Sequence, residues 1–209
     1  GDFLCNENLL ESLKHLATKI SGNVQISKNY LTSLKGRPKK TESFNCSMNK
    51  LTSLDGSPEE IENGFDCSSN QLKTLKGGPK KTGIYFCNDN QLETLEGRPE
   101  ETKGFYCENN NITSLKGSPK KVKGSFSCCN NPFLLTLKGD LKEVDGNFDC
   151  SGCRKLKNQI KEIITHQIKA KKYITDEGEF EFEKIKKEFG YYGEMLKNKN
   201  NNVINKFKN

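Results

Sequence analysis

Phe44-Asn45-Cys46-Ser47-Met48-Asn49-Lys50-Leu51-Thr52-Ser53-Leu54-Asp55-Gly56-Ser57-Pro58 is followed by Glu59, Glu60 and Ile61, and a second copy then opens at Phe65. The same wording returns at Tyr85, Phe105 and Phe126 and, more loosely, at Phe3, Val24 and Phe148. Counted from the cysteine slot of each copy, which Ile26 fills in the second, the anchors stand at 5, 26, 46, 67, 87, 107, 128 and 150. The spacings are 20 to 22 residues. One supersecondary unit repeated about eight times makes a solenoid, in which each copy buries its apolar face only against its neighbours.

Each position of the unit has a physical task. Phe65-Asp66-Cys67 alternates on a short strand, so the aromatic ring and the thiol point inward and the residue between them points out. The asparagine column (Asn8, Asn29, Asn49, Asn70, Asn90, Asn110, Asn131) stands where the chain bends off the strand. Its amides are expected to cap backbone groups of their own and the next rung. Paired leucines such as Leu72 and Leu75 fill the wedge. Gly56, Gly77, Gly97 and Gly117 permit the turn, and Pro58, Pro79, Pro99 and Pro119 hold the return path extended. A period near 20 leaves no room for a helix there, so a coil or polyproline-like convex face is expected. The pairs after each proline alternate in sign (Lys39-Lys40, Glu59-Glu60, Lys80-Lys81, Glu100-Glu101, Lys120-Lys121), which reads as register control by stacked opposite charges.

Composition agrees with a thin array. Only 32% of residues are hydrophobic and 29% are charged. No run of 18 apolar residues exists, so no membrane-spanning helix is expected. Seven of the nine cysteines share the inward column, where Ile26 substitutes for them, so they behave as small buried hydrophobes and are expected to be reduced thiols. Reduced thiols, and a chain that opens inside a repeat without a basic and apolar leader, lead to the expectation of a cytoplasmic protein. Residues 1–153 hold 20 Lys+Arg against 19 Asp+Glu, and residues 154–209 hold 14 against 8, so the excess positive charge lies in the last segment.

The repeat resembles the short leucine-rich repeat of bacterial secreted effectors and, more closely, leucine-rich-repeat proteins of bacteriophages and some low-GC bacteria. Leu31-Thr32-Ser33-Leu34 and the run from Leu51 to Pro58 carry the likeness, which covers residues 3–150. It implies an α+β repeat solenoid: a right-handed arc with short parallel strands on its concave face and a helical C-terminal cap. Residues 1–153 form the solenoid of about eight rungs, 154–196 the cap and 197–209 a Lys/Asn-rich tail. Within 1–22, Leu9, Leu10, Leu13, Leu16 and Ile20 fall at helical spacing, which predicts an N-terminal helical cap. Leu156, Ile160, Ile163, Ile164 and Ile168 predict a helix over 155–171, and Phe182, Ile185 and Phe189 a second, stopped by Gly190.

No catalytic set emerges, so no enzyme activity and no cofactor are expected. His15 and His166 are the only histidines and stand in opposite caps. Cys150-x-x-Cys153 with Cys128-Cys129 brings four sulfurs near the last rungs, but two already belong to the inward column, and a metal is not expected. Some bacterial effectors with similar repeats carry a ubiquitin-ligase domain with a nucleophilic cysteine. The residues after Cys153 hold no cysteine, so that activity does not carry over.

The concave face is the usual docking surface of such arrays. Its outward residues include Asn45, Asp66, Phe86, Tyr106, Ser127 and Asp149, with Asn88 and Glu108 just past their anchors. Phe86 beside Tyr106 has the composition of an interface hot spot. The expected function is therefore capture of another protein. A phage setting, which rests on the resemblance, implies that a host or antiviral-defence factor in the host cytoplasm is inhibited. The alternative is nucleic-acid binding by the basic segment through Lys169, Lys171, Lys172, Lys186 and Lys187. Self-association through open column ends or Cys129 is a further expectation.

Overall fold

The computed structural model describes residues 1–14, 20–36 and 38–158 of the 209-residue chain. In order, the strands are β1 (Phe3–Leu4), β2 (Asn23–Gln25), β3 (Lys40–Asn45), β4 (Glu60–Asp66), β5 (Ile84–Phe86) and β6 (Glu101–Thr102). They continue with β7 (Gly104–Tyr106), β8 (Lys121–Val122), β9 (Phe126–Ser127), β10 (Glu143–Val144) and β11 (Phe148–Asp149), and a 3-10 turn at Arg154–Asn158 follows. Eight of them make one parallel sheet in the order β1-β2-β3-β4-β5-β7-β9-β11, with each repeat adding one strand beside the last. The protein is a parallel-strand β-solenoid of about seven turns.

The inward column is as alternation requires. Phe44, Phe65, Tyr85, Phe105, Phe126 and Phe148 are buried, and each ring meets the next at centroid separations of 5.0 to 6.1 Å. The leucine pairs lie behind them at zero exposure. All nine cysteines are free thiols. Those of the column do more than fill space: Cys46, Cys67, Cys87 and Cys107 donate their S–H to the backbone carbonyl of the following rung at 3.3 to 3.4 Å. Such bonds are weak, but an isoleucine in the slot has none to offer.

One anomaly in the ring column explains a neighbouring glycine. Tyr85 is the tyrosine among phenylalanines, and its hydroxyl lies where a Cβ on Gly78 would stand 2.7 Å away. At that turn position other copies carry Ser57, Arg98 or Ser118. The buried hydroxyl lies beside the Cys67 thiol without a sound hydrogen bond. An unpartnered buried hydroxyl costs about 1–3 kcal/mol. Tyr85→Phe is therefore expected to raise stability by about 1 kcal/mol in urea denaturation; a loss of that size would show that the hydroxyl is partnered.

The amide column bonds backward rather than forward along the array. Asn70 Nδ2 donates to the carbonyls of Cys67 and Ser68 in its own rung and of Cys46 in the rung before. Its Oδ1 accepts the Leu51 N–H, also in the rung before. The residue preceding each asparagine (Met48, Ser69, Asp89, Asn109) adopts the left-handed conformation at φ 52 to 55°, and its N–H donates to the following rung at 3.0 to 3.1 Å.

The return path departs from the expected coil. β6, β8 and β10 form a second, three-stranded parallel sheet, and β3 and β4 begin on this side and run through into the main sheet. The residue after each charged pair (Thr41, Ile61, Thr82, Thr102, Val122 and the equivalent Val144) is buried, so the return strand also alternates. Between β3 and β4 the register shifts at Thr41/Ser43, a bulge that absorbs the extra residue of the 21-residue copy. The sign-alternating pairs face each other across rungs: Lys120 with Glu100 at 3.0 Å, Lys121 with Glu143 at 3.0 Å, Lys40 with Glu60 at 3.6 Å. All are exposed or half-exposed and contribute about 0–1 kcal/mol each, so their value lies in opposing a slipped register.

The α+β mix is not present among the described residues, whose one helical element is the 3-10 turn at Arg154–Asn158. Leu156 in that turn is buried, covering part of the last rung. Residues 9–13 are not helical. Leu9 is 79% exposed while Leu13 is buried, an alternation set by the first rung rather than by a helix face. The remainder of the C-terminal cap and the 197–209 tail lie outside the described residues. At the seventh repeat Asp140 replaces the usual turn residues. Its carboxylate accepts the Gly117 N–H at 2.9 Å and faces Arg98 at 3.5 Å, while Arg98 Nε donates to the Gly117 carbonyl at 2.6 Å. Asp140 thus ties the turn of the seventh repeat to those of the two repeats before it.

Candidate functional site: the outer face of the eight-stranded sheet

The inward ring and thiol leave one residue between them facing out on every strand. Pairing across the sheet aligns these in a single file: Leu4, Gln25, Asn45, Asp66, Phe86, Tyr106, Ser127, Asp149. The residues two positions earlier and later flank the file on the same face. On one side stand Ser43, Gly64, Ile84 and Gly104, and on the other Ser47, Ser68, Asn88, Glu108 and Cys129.

Phe86 and Tyr106 are the large side chains of the file between Gln25 and Asp149. Tyr85 is fully buried and Phe86 is partly exposed, so the two do not exchange roles. The rings of Phe86 and Tyr106 stack at 4.9 Å with 12° between their planes. That separation equals the strand spacing, so the rings stand side by side across β5 and β7, with their outer faces toward Asp66 and Ser127. Tyr106 also leans over Gly104: a Cβ there would lie 3.1 Å from the Tyr106 ring and 3.5 Å from the Ile84 methyl. Ile84, Phe86 and Tyr106 thus make an apolar spot in mid-sheet, with Gly104 providing its floor.

Small polar side chains surround that spot and bond along the strands. Ser47 donates to Asn45 Oδ1 at 2.7 Å, Ser68 to Asp66 Oδ1 at 2.5 Å, and the Ser151 N–H to Asp149 Oδ1 at 2.8 Å. Ser127 Oγ lies 3.1 Å from Cys129 Sγ. These contacts hold the polar residues against the sheet and leave the rings as the raised feature. Glu108, beside Tyr106, is half-buried. Burial raises its pKa above the ordinary carboxylate value, opposed by its backbone amide and the Ser127 hydroxyl and reinforced by the charges of Asp149 and Asp89. Its Oε2 and the Oδ1 of neighbouring Asn88 are shielded from water without a hydrogen-bond donor.

Other candidates are placed as follows. Burial pushes the Cys46, Cys67, Cys87, Cys107 and Cys150 thiols well up, so they stay protonated. Cys153 is also buried; it donates to the Cys128 carbonyl at 3.2 Å, and the Cys128 thiol beside it lowers its pKa. Among the described residues no three His, Cys, Asp or Glu side chains are arranged to hold a metal ion. No helix among them is long and apolar enough to cross a membrane. His15, His166, Lys169, Lys171, Lys172, Lys186 and Lys187 lie outside the described residues. Sequence reasoning passed over Ile84 and Gly104; the signal was the rung-to-rung pairing of a β-branched residue with a glycine next to the two aromatics. No protein-family model, curated protein or solved structure compared with this chain matches it.

Proposed function

We propose that this chain is a non-enzymatic binding module of leucine-rich-repeat type that captures another protein on the outer, concave face of its eight-stranded sheet. The observation that carries the reading is the stacked, partly exposed Phe86–Tyr106 pair, set among small polar residues. Aromatic side chains at the centre of a polar-rimmed face are the usual anchors of protein interfaces. The phage-type wording of the repeat makes a host or antiviral-defence factor the natural target, with the host cytoplasm as the setting.

Nucleic acid fits this face poorly, because the file and its two flanks from Asn23 to Ser151 carry three carboxylates and no lysine or arginine.

Phe86→Ala/Tyr106→Ala tests the reading. Both side chains are mostly buried, so the double change is expected to cost about 2–4 kcal/mol, and circular dichroism checks that the variant is folded. Capture of the proteins that the unmodified chain retains from host lysate should fall about 30-fold or more, two hot-spot residues being removed. Undiminished capture by the folded double variant would exclude the face.

A further inference from the structure

We infer that the segment received by this face is basic and extended, and that it places an arginine or lysine side chain against the Phe86–Tyr106 stack beside Glu108. The inference rests on the docking reading above and specifies the chemistry of the partner.

Two features point to a cation. The first is charge: Asp66, Glu108 and Asp149 lie on this face without a basic residue among its three columns, although the chain as a whole is positive. The second is the stack itself. Its outer faces look along the sheet over Asp66 and Ser127, both short, which leaves a ring-high step on either side. A guanidinium or ammonium lying on such a step meets a π face and a carboxylate together. Glu108 stands half-buried beside Tyr106 at one of these steps. A half-buried carboxylate has already lost part of its hydration, so pairing it with a cation costs less than pairing one in open water.

The length of the occupant follows from the sheet. From β4, which carries Asp66, to β11, which carries Asp149, is four strand spacings of about 4.8 Å, or about 19 Å. An extended chain rises about 3.3 Å per residue, so about six residues lying across the strands reach all three carboxylates. A helix would put the same charges within a shorter span and lift alternate ones off the face.

The test uses the full chain and a short fluorescent peptide alternating Arg with Ser, with Lys and Glu counterparts, read by anisotropy at low and physiological salt. The Arg and Lys peptides are expected to bind and the Glu peptide not to. Glu108→Gln and Phe86→Ala should each weaken binding about tenfold, and added salt should weaken it further. Circular dichroism of both variants must match the unmodified chain; Glu108→Ala serves in place of Gln if it does not. Equal binding of the Arg and Glu peptides, or indifference to Glu108→Gln, would overturn the inference. So would single-stranded RNA bound with the same sensitivity to these variants, or a dimer of this chain that Phe86→Ala dissolves. A natural partner released by Phe86→Ala/Tyr106→Ala but indifferent to Glu108→Gln and to salt overturns the basic segment alone. One indifferent to the aromatic change overturns the docking face as well.

Discussion

Asn90→Ala is expected to lower the unfolding free energy by about 3 kcal/mol, read as a shift of the urea midpoint. The amide makes four bonds: Nδ2 to the carbonyls of Cys67, Cys87 and Asn88, and Oδ1 from the Leu72 N–H at 3.0 Å. The four losses are unequal. Cys67 O keeps a bond from Asn70, Cys87 O one from Asn110, and Asn88 O one from the Ser69 N–H. The Leu72 N–H is buried and faces the rung's interior, and an orphaned buried donor costs about 1–3 kcal/mol. That donor, with the cavity left by the amide, dominates.

Asn90→Asp separates the two halves of the amide. Its oxygen still accepts from Leu72, but a carboxylate aimed at three carbonyls in a buried slot is destabilised, so the folded-state pKa lies above the unfolded one. The folded state then binds more protons between those pKa values, and stability rises as pH falls through that window. Asn8, exposed and bonded only within its own rung, is the control: Asn8→Ala should change stability by less than about 0.5 kcal/mol. A small effect at Asn90 would show that the amides decorate the stack and do not hold it.

Gly97→Ala is expected to be worse, about 4 kcal/mol or failure to fold. Gly97 sits at φ 101°, where an L side chain is strained by about 1–3 kcal/mol before any contact is counted. A Cβ there would stand 2.3 Å from the Leu75 carbonyl carbon and oxygen and the Lys76 nitrogen. Those atoms cannot retreat cheaply, because the Leu75 N–H is bonded to the Glu96 carbonyl at 3.0 Å, one residue before the glycine. Gly64 is the contrast. Its nearest neighbour to an added Cβ is at 4.0 Å and its φ is ordinary, so Gly64→Ala should melt within about 0.5 kcal/mol of the unmodified chain. Equal melting of the two variants would mean that the rungs do not approach as closely as described.

The outward position of Phe86 was legible before any coordinates, because alternation between Tyr85 and Cys87 permits one residue only to face out. The charged pairs after each proline were legible as a ladder because their sign alternates with the period. The direction of the amide bonds was not: an asparagine at a bend can serve either neighbour, and only the stacked geometry decides which carbonyls come within reach. The return strands were hidden for a related reason. Thr41, Ile61, Thr82 and Val122 are too varied to look like a column until their shared burial shows it. The left-handed residue before each asparagine escaped too, since Met48 and Lys28 are not residues that advertise that conformation.

The repeat period, the inward file of rings and thiols and the neutrality of the array are properties of residues close together in the chain, and the sequence alone determined them. Contacts set by how the rungs close belong to the tertiary structure: Gly78 making room for the Tyr85 hydroxyl, Asp140 tied to Gly117 and Arg98 of the two rungs before it, Gly104 under the Tyr106 ring, and Glu108 and Asn88 as shielded acceptors on adjacent rungs. Periodicity is written in each unit separately. Contacts between units depend on the register in which the rungs close, and that is settled only when every strand has paired with the next.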